Sequence, residues 1–486
     1  MIELFKIKFQ ISETAHQSHV SFLVNVPEDV ESIQISFQYN PIEEKQLVAN
    51  QQAVLREGYE KDIVDETTIL RNLLTLSVRD PYAYRGNHHY FSSDQLINLS
   101  KEESSLGFLS GAIQPGVWEF IVNCHACISP EIQCALMVQA VTSADKGMRV
   151  KPLVAVKNEK PRMERVALTN PNAQFKKSEL HTHTVHSDAL QTLEELISAA
   201  EQEGIECLSI TDHNTISAYE ELSKSEMLSK KVPVFLPGIE YTTYHGHFLV
   251  HNETANYVEN WTEIEKRTIQ QFLHNVQSNN SFVTIAHPFD MGNPFCTGCQ
   301  WEYVLEHLNY VDAIEVWNGT NPSLSLSNID AYAKWVSLLQ EGHEIAASCG
   351  RDWHTETSAQ EEVAYLYIKA DENNPASILK SLKQGRTFIS TGPVIDLKVN
   401  EKYTIGDRVA VVNGRVELTI LIDNLSGNEA IILYAGKNTV HTDLVNSSTY
   451  ELRLILEEFE ADFLRLEVKN GENDVIAFTN PIYFIS

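Results

Sequence analysis

Apolar and polar positions alternate through the first part of the chain, then change period. In "SIQISFQY", Ile33, Ile35, Phe37 and Tyr39 alternate with Gln34, Ser36 and Gln38, the two-residue period of a half-buried strand. Ile7, Phe9 and Ile11 do the same near the start, and "PGVWEFIVN" and "EIQCALMVQAV" predict two further strands, the first after a Pro115–Gly116 turn. The less regular "NLLTLSVRDPYAYRGNHHYFSS" predicts loops over the sheet, and 151–176, with three prolines, predicts a connection. From about residue 177 the rhythm becomes strand–helix alternation. "TLEELISAAEQEG" has Thr192 and Glu195 in capping-box spacing, Leu193, Leu196, Ile197 and Ala200 on one face, and Gly204 as a left-handed stop. Short apolar runs follow ("IECLSI", "VPVFLPGI", "FVTIA", "AIEVW", "EIAASC"), separated by helical stretches near 259–278 and 326–341. "NPASILKSLKQG" closes the series, with Asn374 as N-cap, Pro375 at the first turn and Gly385 as stop. This alternation predicts parallel strands with crossover helices, as a β/α barrel or an open doubly wound sheet. After "TFISTGP" the β rhythm returns in "RVELTILID", "EAIILYAG", "YELRLIL" and "DFLRLEV", consistent with a sandwich. The expected division is a β-rich part with linker over 1–170, an α/β part over 171–393 and a β-sandwich-like part over 394–486.

Composition narrows the partners. Against 66 acidic residues stand 37 basic ones, a formal charge of −29, which repels phosphate backbones and anionic lipid surfaces. Nucleic acid and membrane are therefore not expected partners. "MIELFKIKFQIS" reads as a strand and not as a secretory leader, and no apolar run approaches a membrane span. A cytoplasmic soluble protein is the expectation. Seven cysteines spread over a long chain suggest no disulfide framework. The pairs Cys124/Cys127 and Cys296/Cys299 read as ordinary reduced cysteines in preference to a shared zinc site.

The α/β part places a histidine or carboxylate at the end of nearly every apolar run. His181 and His183 follow "SEL"; Asp212 and His213 end "CLSIT"; Glu240 ends "FLPGI"; His287 ends "FVTIA"; Asp352 and His354 follow "IAASCGR". In parallel β/α architectures the carboxyl ends of strands share one rim, so these scattered side chains converge. His-x-His at a strand end turns both imidazoles to one side, where one cation takes both. Asp188 lies far enough along the loop to reach a different cation. Mixed imidazole and carboxylate donors suit Zn²⁺, Mn²⁺ or Fe²⁺.

The motifs "HTHTVHSD", "ITDHNT", "GIEYTTYHGH", "AHPF" and "GRDWH" resemble, in order, those of the PHP (polymerase and histidinol phosphatase) metallohydrolases, over about 177–393. "IEVWNG", "GRTFISTGP" and "FTNPIYF" further resemble the CehA/McbA-type subgroup, whose founding members hydrolyse carbamate esters. The resemblance implies a distorted seven-stranded barrel holding up to three divalent metals, flanked by β-rich segments. It implies a first metal at His181, His183, Glu240 and Asp352. A second, bridged by Glu240, would be held by His247 and His287, and a third by Asp188, His213 and His354. "YHGHFLVH" offers His245, His247 and His251, of which His247 follows the glycine as the motif requires. Ala189 stands where the family often has glycine.

Such a site would activate water for attack on a phosphate ester, or on a carbamate, ester or amide carbonyl. No GxSxG elbow or P-loop competes with that reading. Glu240, Asp352 and His354 would form the reacting centre. Asp212 is a candidate to orient the His213 imidazole, or to cap a helix; Arg351 to meet a substrate phosphate, or to form an ion pair. Trp317 and Asn318 end a strand and could line the pocket or, for the tryptophan, pack in the core. His186 reads as a bystander, and His88–His89 have no recognisable partner set. The leading expectation is a phosphoesterase acting on a small, phosphorylated molecule, the runner-up a carbamate, ester or amide hydrolase. A non-catalytic glycan- or protein-binding module would leave the complete donor set without a purpose.

Overall fold

The computed structural model describes residues 1–142, 168–170, 173–225, 233–255, 258–305, 308–355, 357, 360–411 and 414–485. The connection expected over 151–176 therefore lies mostly outside the described residues.

Two four-stranded antiparallel sheets make up the N-terminal part. One runs in the order Ile2–Ile11, Ile132–Thr142, Val30–Asn40, Asp94–Ser100, the other Ser18–Val26, Gly116–Ala126, Leu73–Arg79, Tyr84–Asn87. Ile33, Ile35 and Phe37 from the first pack with Leu74, Leu76, Val78, Trp118 and Phe120 from the second in one core. Two of these strands, Leu73–Arg79 and Tyr84–Asn87, lie in the stretch expected to be loops. Leu73–Arg79 does alternate once paired: Leu74, Leu76 and Val78 meet the core, while Thr75 and Ser77 are buried beneath Asn87 and Asn123, and the pattern is short and set beside a proline, a glycine and irregular polar residues.

Ten strands carry the central part: β1 (Phe175–Glu179), β2 (Cys207–Leu208), β3 (Val234–Phe235), β4 (Gly238–Thr243), β5 (Gly246–His251), β6 (Phe282–Ile285), β7 (Ala313–Asn318), β8 (Ala346–Gly350), β9 (Tyr365–Lys369) and β10 (Thr387–Ser390). Between them lie α1 (Leu193–Gln202), α2 (Ser217–Lys224), α3 (Ile269–Ser278), α4 (Leu326–Gln340) and α5 (Pro375–Lys383). The expected capping box at Thr192 and Glu195 is formed, and Gly204 follows at φ 69°. Asn374 caps α5 through the Ser377 amide. The helix expected near 259–278 begins only at Ile269. The buried Trp261 before it donates its indole N–H to Ser77 of the N-terminal sheet at 3.2 Å.

These strands form two sheets. β4 to β8 lie in sequence order, with β6, β7 and β8 parallel but β4–β5 and β5–β6 antiparallel. The other sheet runs β3-β2-β1-β9-β10 and continues through Val475–Thr479, Phe463–Lys469, Ala430–Ala435 and Asn438–Leu444. The C-terminal strands thus extend a central sheet across position 393, and a four-stranded sheet packs over them around Leu418, Ile420, Leu464 and Leu466.

Past β1 and β2 the chain stitches the two sheets together. Thr182 bridges Trp353 beyond β8, with the His183 amide donating to the Trp353 carbonyl at 3.0 Å and the Trp353 amide to the His181 carbonyl at 3.1 Å. His213 bridges Glu240 of β4, where the Glu240 amide donates to the Thr211 carbonyl at 3.1 Å. Among the described residues, no helix is long and apolar enough to cross a membrane.

Candidate metal centre

The two stitches fall at strand ends, so they gather the polar side chains that the sequence distributes. His181 and His183 flank the Thr182 bridge and both are fully buried. His181 Nε2 lies 3.3 Å from both Glu240 Oε2 and Asp352 Oδ1; His183 Nε2 lies 3.3 Å and 2.9 Å from the same two oxygens. All four atoms are buried and none has a hydrogen-bond partner among the described residues. Two imidazole nitrogens and two carboxylate oxygens aimed at one point, without mutual hydrogen bonds, form a cradle for a cation.

Glu240 turns its other oxygen to a second group. Oε1 is 3.1 Å from His247 Nδ1 and 3.2 Å from His287 Nε2. The β4–β5 hairpin does this: Thr242 pairs with His247, which puts His247 on the face that Glu240 shares with Thr242. The hairpin also separates the three candidate histidines. His245 pairs with Glu302 near the surface, and His251 donates Nε2–H to the Leu180 carbonyl at 3.0 Å. Behind the site, the carbonyls of Thr297 and Cys299 accept from His247 Nε2–H (2.8 Å) and His287 Nδ1–H (3.3 Å). Those bonds fix both tautomers and leave the lone pairs facing Glu240.

Asp188 Oδ1 lies 3.3 Å from His213 Nε2 and 3.1 Å from His354 Nε2, with the His183 ring stacked 4.3 Å from each imidazole. His183, Asp188, His213 and His354 form one cluster of mutually close donors, and His181, His183, Glu240 and Asp352 another. His287 and Asp352 hold positive φ values of 25° and 51°, uncommon for side-chain-bearing residues and typical of functional positions.

Electrostatics agrees with geometry. Burial alone would raise the acids, but the surrounding imidazoles hold Glu240, Asp352 and Asp188 well below the usual carboxylate range. Burial and the rings of His354 and His213 push His183 down to about 3, so its imidazole is neutral. Burial opposes a charge on His181, yet Glu315, Asp352 and Glu240 raise it well above its ordinary value. Buried anions of this density need positive charge, supplied by protons or by cations.

Other expected residues take supporting places. Asp212 does not orient His213: it accepts from the Thr184 amide and hydroxyl, both at 2.8 Å, and from the Ser187 hydroxyl at 2.7 Å, tying down the turn before Asp188. Arg351 does not face a substrate. It is buried, pairs with Glu179 at 3.0 Å and Glu203 at 2.8 Å, and stacks over Trp353 at 3.6 Å. Trp317 packs edge-on against Phe478 in the core, while Asn318 donates to Glu315 at 3.0 Å. His186 is held by Ser217 and Glu221, both at 2.8 Å, outside the clusters. Cys296 and Cys299 are joined in a disulfide and not reduced as expected; Cys124 and Cys127 are free and buried.

Three contributors escaped the sequence reading. Glu315, the one acid within "AIEVW", accepts from His181 Nδ1–H at 3.0 Å and from the His287 amide at 3.0 Å. A carboxylate inside an apolar strand was its available signal. His89 reaches in from the N-terminal part, its buried ring 4.9 Å from that of His213 and 4.7 Å from His125. Burial pushes its pKa down to about 3, so it forms a neutral wall. Cys299 stands close to both His247 and His287.

Residues 179–287 match the family model of the PHP domain. Among curated proteins none matches the chain. Solved structures similar to it include a two-domain protein from Bacteroides vulgatus containing a predicted PHP-like metal-dependent phosphoesterase. The two are 17% identical over 66% of this chain and 100% of that one, with a TM-score of 0.38. An amidohydrolase from Chromobacterium violaceum, with bound sulfate and no metal, is 17% identical over 36% of this chain and 87% of that one, with a TM-score of 0.26. At this level of similarity neither neighbour bears on what this chain acts on.

Proposed function

Because the chain carries a PHP domain over residues 179–287, we propose that it is a metal-dependent hydrolase, and specifically a phosphoesterase acting on a small phosphorylated ester. One observation carries this reading: His181 Nε2, His183 Nε2, Glu240 Oε2 and Asp352 Oδ1 face one another, buried and without hydrogen-bond partners among the described residues. The donor set suits Zn²⁺, Mn²⁺ or Fe²⁺, and the clusters would accommodate two or three ions, with Glu240 Oε2 in the first and its Oε1 turned to His247 and His287. Divalent cations bound there would acidify water and stabilise charge developing on a phosphoryl or tetrahedral carbonyl group. The chain's own residues hold this machinery in place. Glu315 fixes the His181 ring, the Thr297 and Cys299 carbonyls fix His247 and His287, and Asp212 fixes the turn that presents Asp188. His89 packs its ring beside that of His213. The ring β1, β2, β4, β5, β6, β7, β8, closed by the two stitches, favours the seven-stranded barrel reading of the PHP part.

Purified protein loaded with Mn²⁺ or Zn²⁺ is expected to turn over aryl phosphate mono- or diesters in preference to aryl carbamates. A His181→Ala/His183→Ala double variant is expected to lose bound metal and at least about 100-fold in turnover. Carbamate hydrolysis without phosphatase activity would move the assignment to the carbamate-ester reading. Less than one ion per chain with no turnover on either panel would refute the enzyme reading altogether.

A further inference from the structure

The segment "CTGCQ", residues 296–300, closes over the second donor group, and its cysteines differ in exposure. Cys296 is exposed, whereas Cys299 is 6% exposed and among the buried residues. Cys299 offers its sulfur within 4.8 Å of ring nitrogens of both His247 and His287, and these two nitrogens are equally close to each other. The segment cannot easily retreat. A Cβ at Gly298, where φ is +71°, would sit 1.9 Å from the Thr243 carbonyl oxygen, so the backbone lies directly on the β4–β5 hairpin that carries His247. The Thr297 and Cys299 carbonyls hold both imidazoles from behind.

We propose that Cys299 is a switchable ligand of a position held by His247 and His287, withheld while bonded to Cys296 and donated as a thiolate once that bond is reduced. This rests on the metal-centre reading above and adds a sulfur donor to it. The asymmetric exposure sets the direction of opening. An external thiolate can reach the Cys296 sulfur; it forms a mixed disulfide there while the S–S bond breaks and Cys299 leaves, carrying the electron pair inward. A second external thiolate then displaces Cys296, so one disulfide and two thiols become two protein thiols and one external disulfide. Reoxidation by a low-molecular-weight disulfide runs the same steps backward. Thiolate is the soft donor that distinguishes Zn²⁺ or Co²⁺ from Mn²⁺. Reduction would therefore change which metal the second position prefers, while the first position, lacking sulfur, keeps its donors.

Cobalt reports sulfur ligation directly, independent of turnover. The whole chain is loaded with Co²⁺ as oxidised protein, as reduced protein, and as Cys296→Ser and Cys299→Ser variants, with bound cobalt measured in each. A near-ultraviolet thiolate-to-cobalt absorption band is expected in the reduced protein and in Cys296→Ser. It is expected to be absent from the oxidised protein and from Cys299→Ser. In Cys296→Ser, bound Zn²⁺ should also slow modification of Cys299 by a thiol reagent at least about tenfold relative to the metal-free variant. Cobalt bound at one or more ions per chain in reduced protein and Cys296→Ser, with no such band and no protection, overturns this inference and leaves the metal centre standing. Failure to bind any ion in every state overturns both.

Discussion

Glu240 is fully buried and divides its two oxygens between two groups of imidazoles. Its neighbours answer with protons when no cation does. Burial works against a charge on His287, but Glu240 draws its pKa up to about 9; Asp352 and Asp188 do the same for His354. Both folded-state values lie above the ordinary 6.5. A raised pKa contributes stability that is complete below 6.5 and is lost as pH rises through about 9. Chelator-treated protein should therefore show a falling Tm between pH 6.5 and 9, and metal-loaded protein a nearly flat one, since cations replace the protons. Equal pH slopes for the two forms would refute this picture. His181 and His183 were legible in the sequence because two imidazoles at i and i+2 at a strand end need no tertiary information. Glu315, His89 and Cys299 were not, because their positions depend on which neighbouring strand covers them and on a contact from a distant part of the chain.

Among the elements, the β4–β5 hairpin is where pattern reading and structure part. An apolar run such as "GIEYTT" followed by "GHFLVH" reads the same whether its strands are parallel or antiparallel. The two-residue turn at Tyr244 and His245, followed by Gly246 at φ 152°, decides it. By contrast, α1 and α5 were legible to the cap, since Thr192, Glu195 and Asn374 act through neighbours three residues away. Arg351 shows the opposite limit: "GRDWH" puts it beside Asp352, yet the strand ends turn it back onto Glu179 at the end of β1 and Glu203 after α1. It ties β8 to β1. With both Arg351 and Glu179 side chains 1% exposed, Arg351→Ala leaves a buried carboxylate uncompensated and should cost roughly 3–5 kcal/mol in urea denaturation. An unchanged midpoint in that experiment would mean that the pair is dispensable and that Arg351 is free for another role.

At the scale of the whole molecule, the expected boundary at 393/394 is crossed by structure. Phe388, Ile389 and Ser390 pair with Thr479, Phe478 and Ala477, and the Asn480 side chain bonds both the amide (2.7 Å) and carbonyl (2.9 Å) of Ala347 in β8. We propose that residues 171–393 are not independent of the C-terminal strands. A fragment ending at residue 393 exposes β10 as a bare edge with Phe388 and Ile389 uncovered, and should elute as aggregate in size-exclusion chromatography. A monomeric fragment that unfolds cooperatively would restore the expected division. The N-terminal part is tied in as well: Tyr244 donates to the Ser18 carbonyl at 2.8 Å, and the Gly107 amide to Ser217 at 3.1 Å. The stitch between Thr182 and Trp353 also sets a calendar for biosynthesis. A nascent chain halfway through the central part displays His181, His183, Asp188, His213, Glu240 and His247 with neither Asp352 nor His354 yet made, so the two donor groups that share His183 are each one residue short. A complete donor set for a divalent ion in either group would thus exist only in the finished chain. An ion bound there would then reflect the pool around the completed protein and not the surroundings of the ribosome.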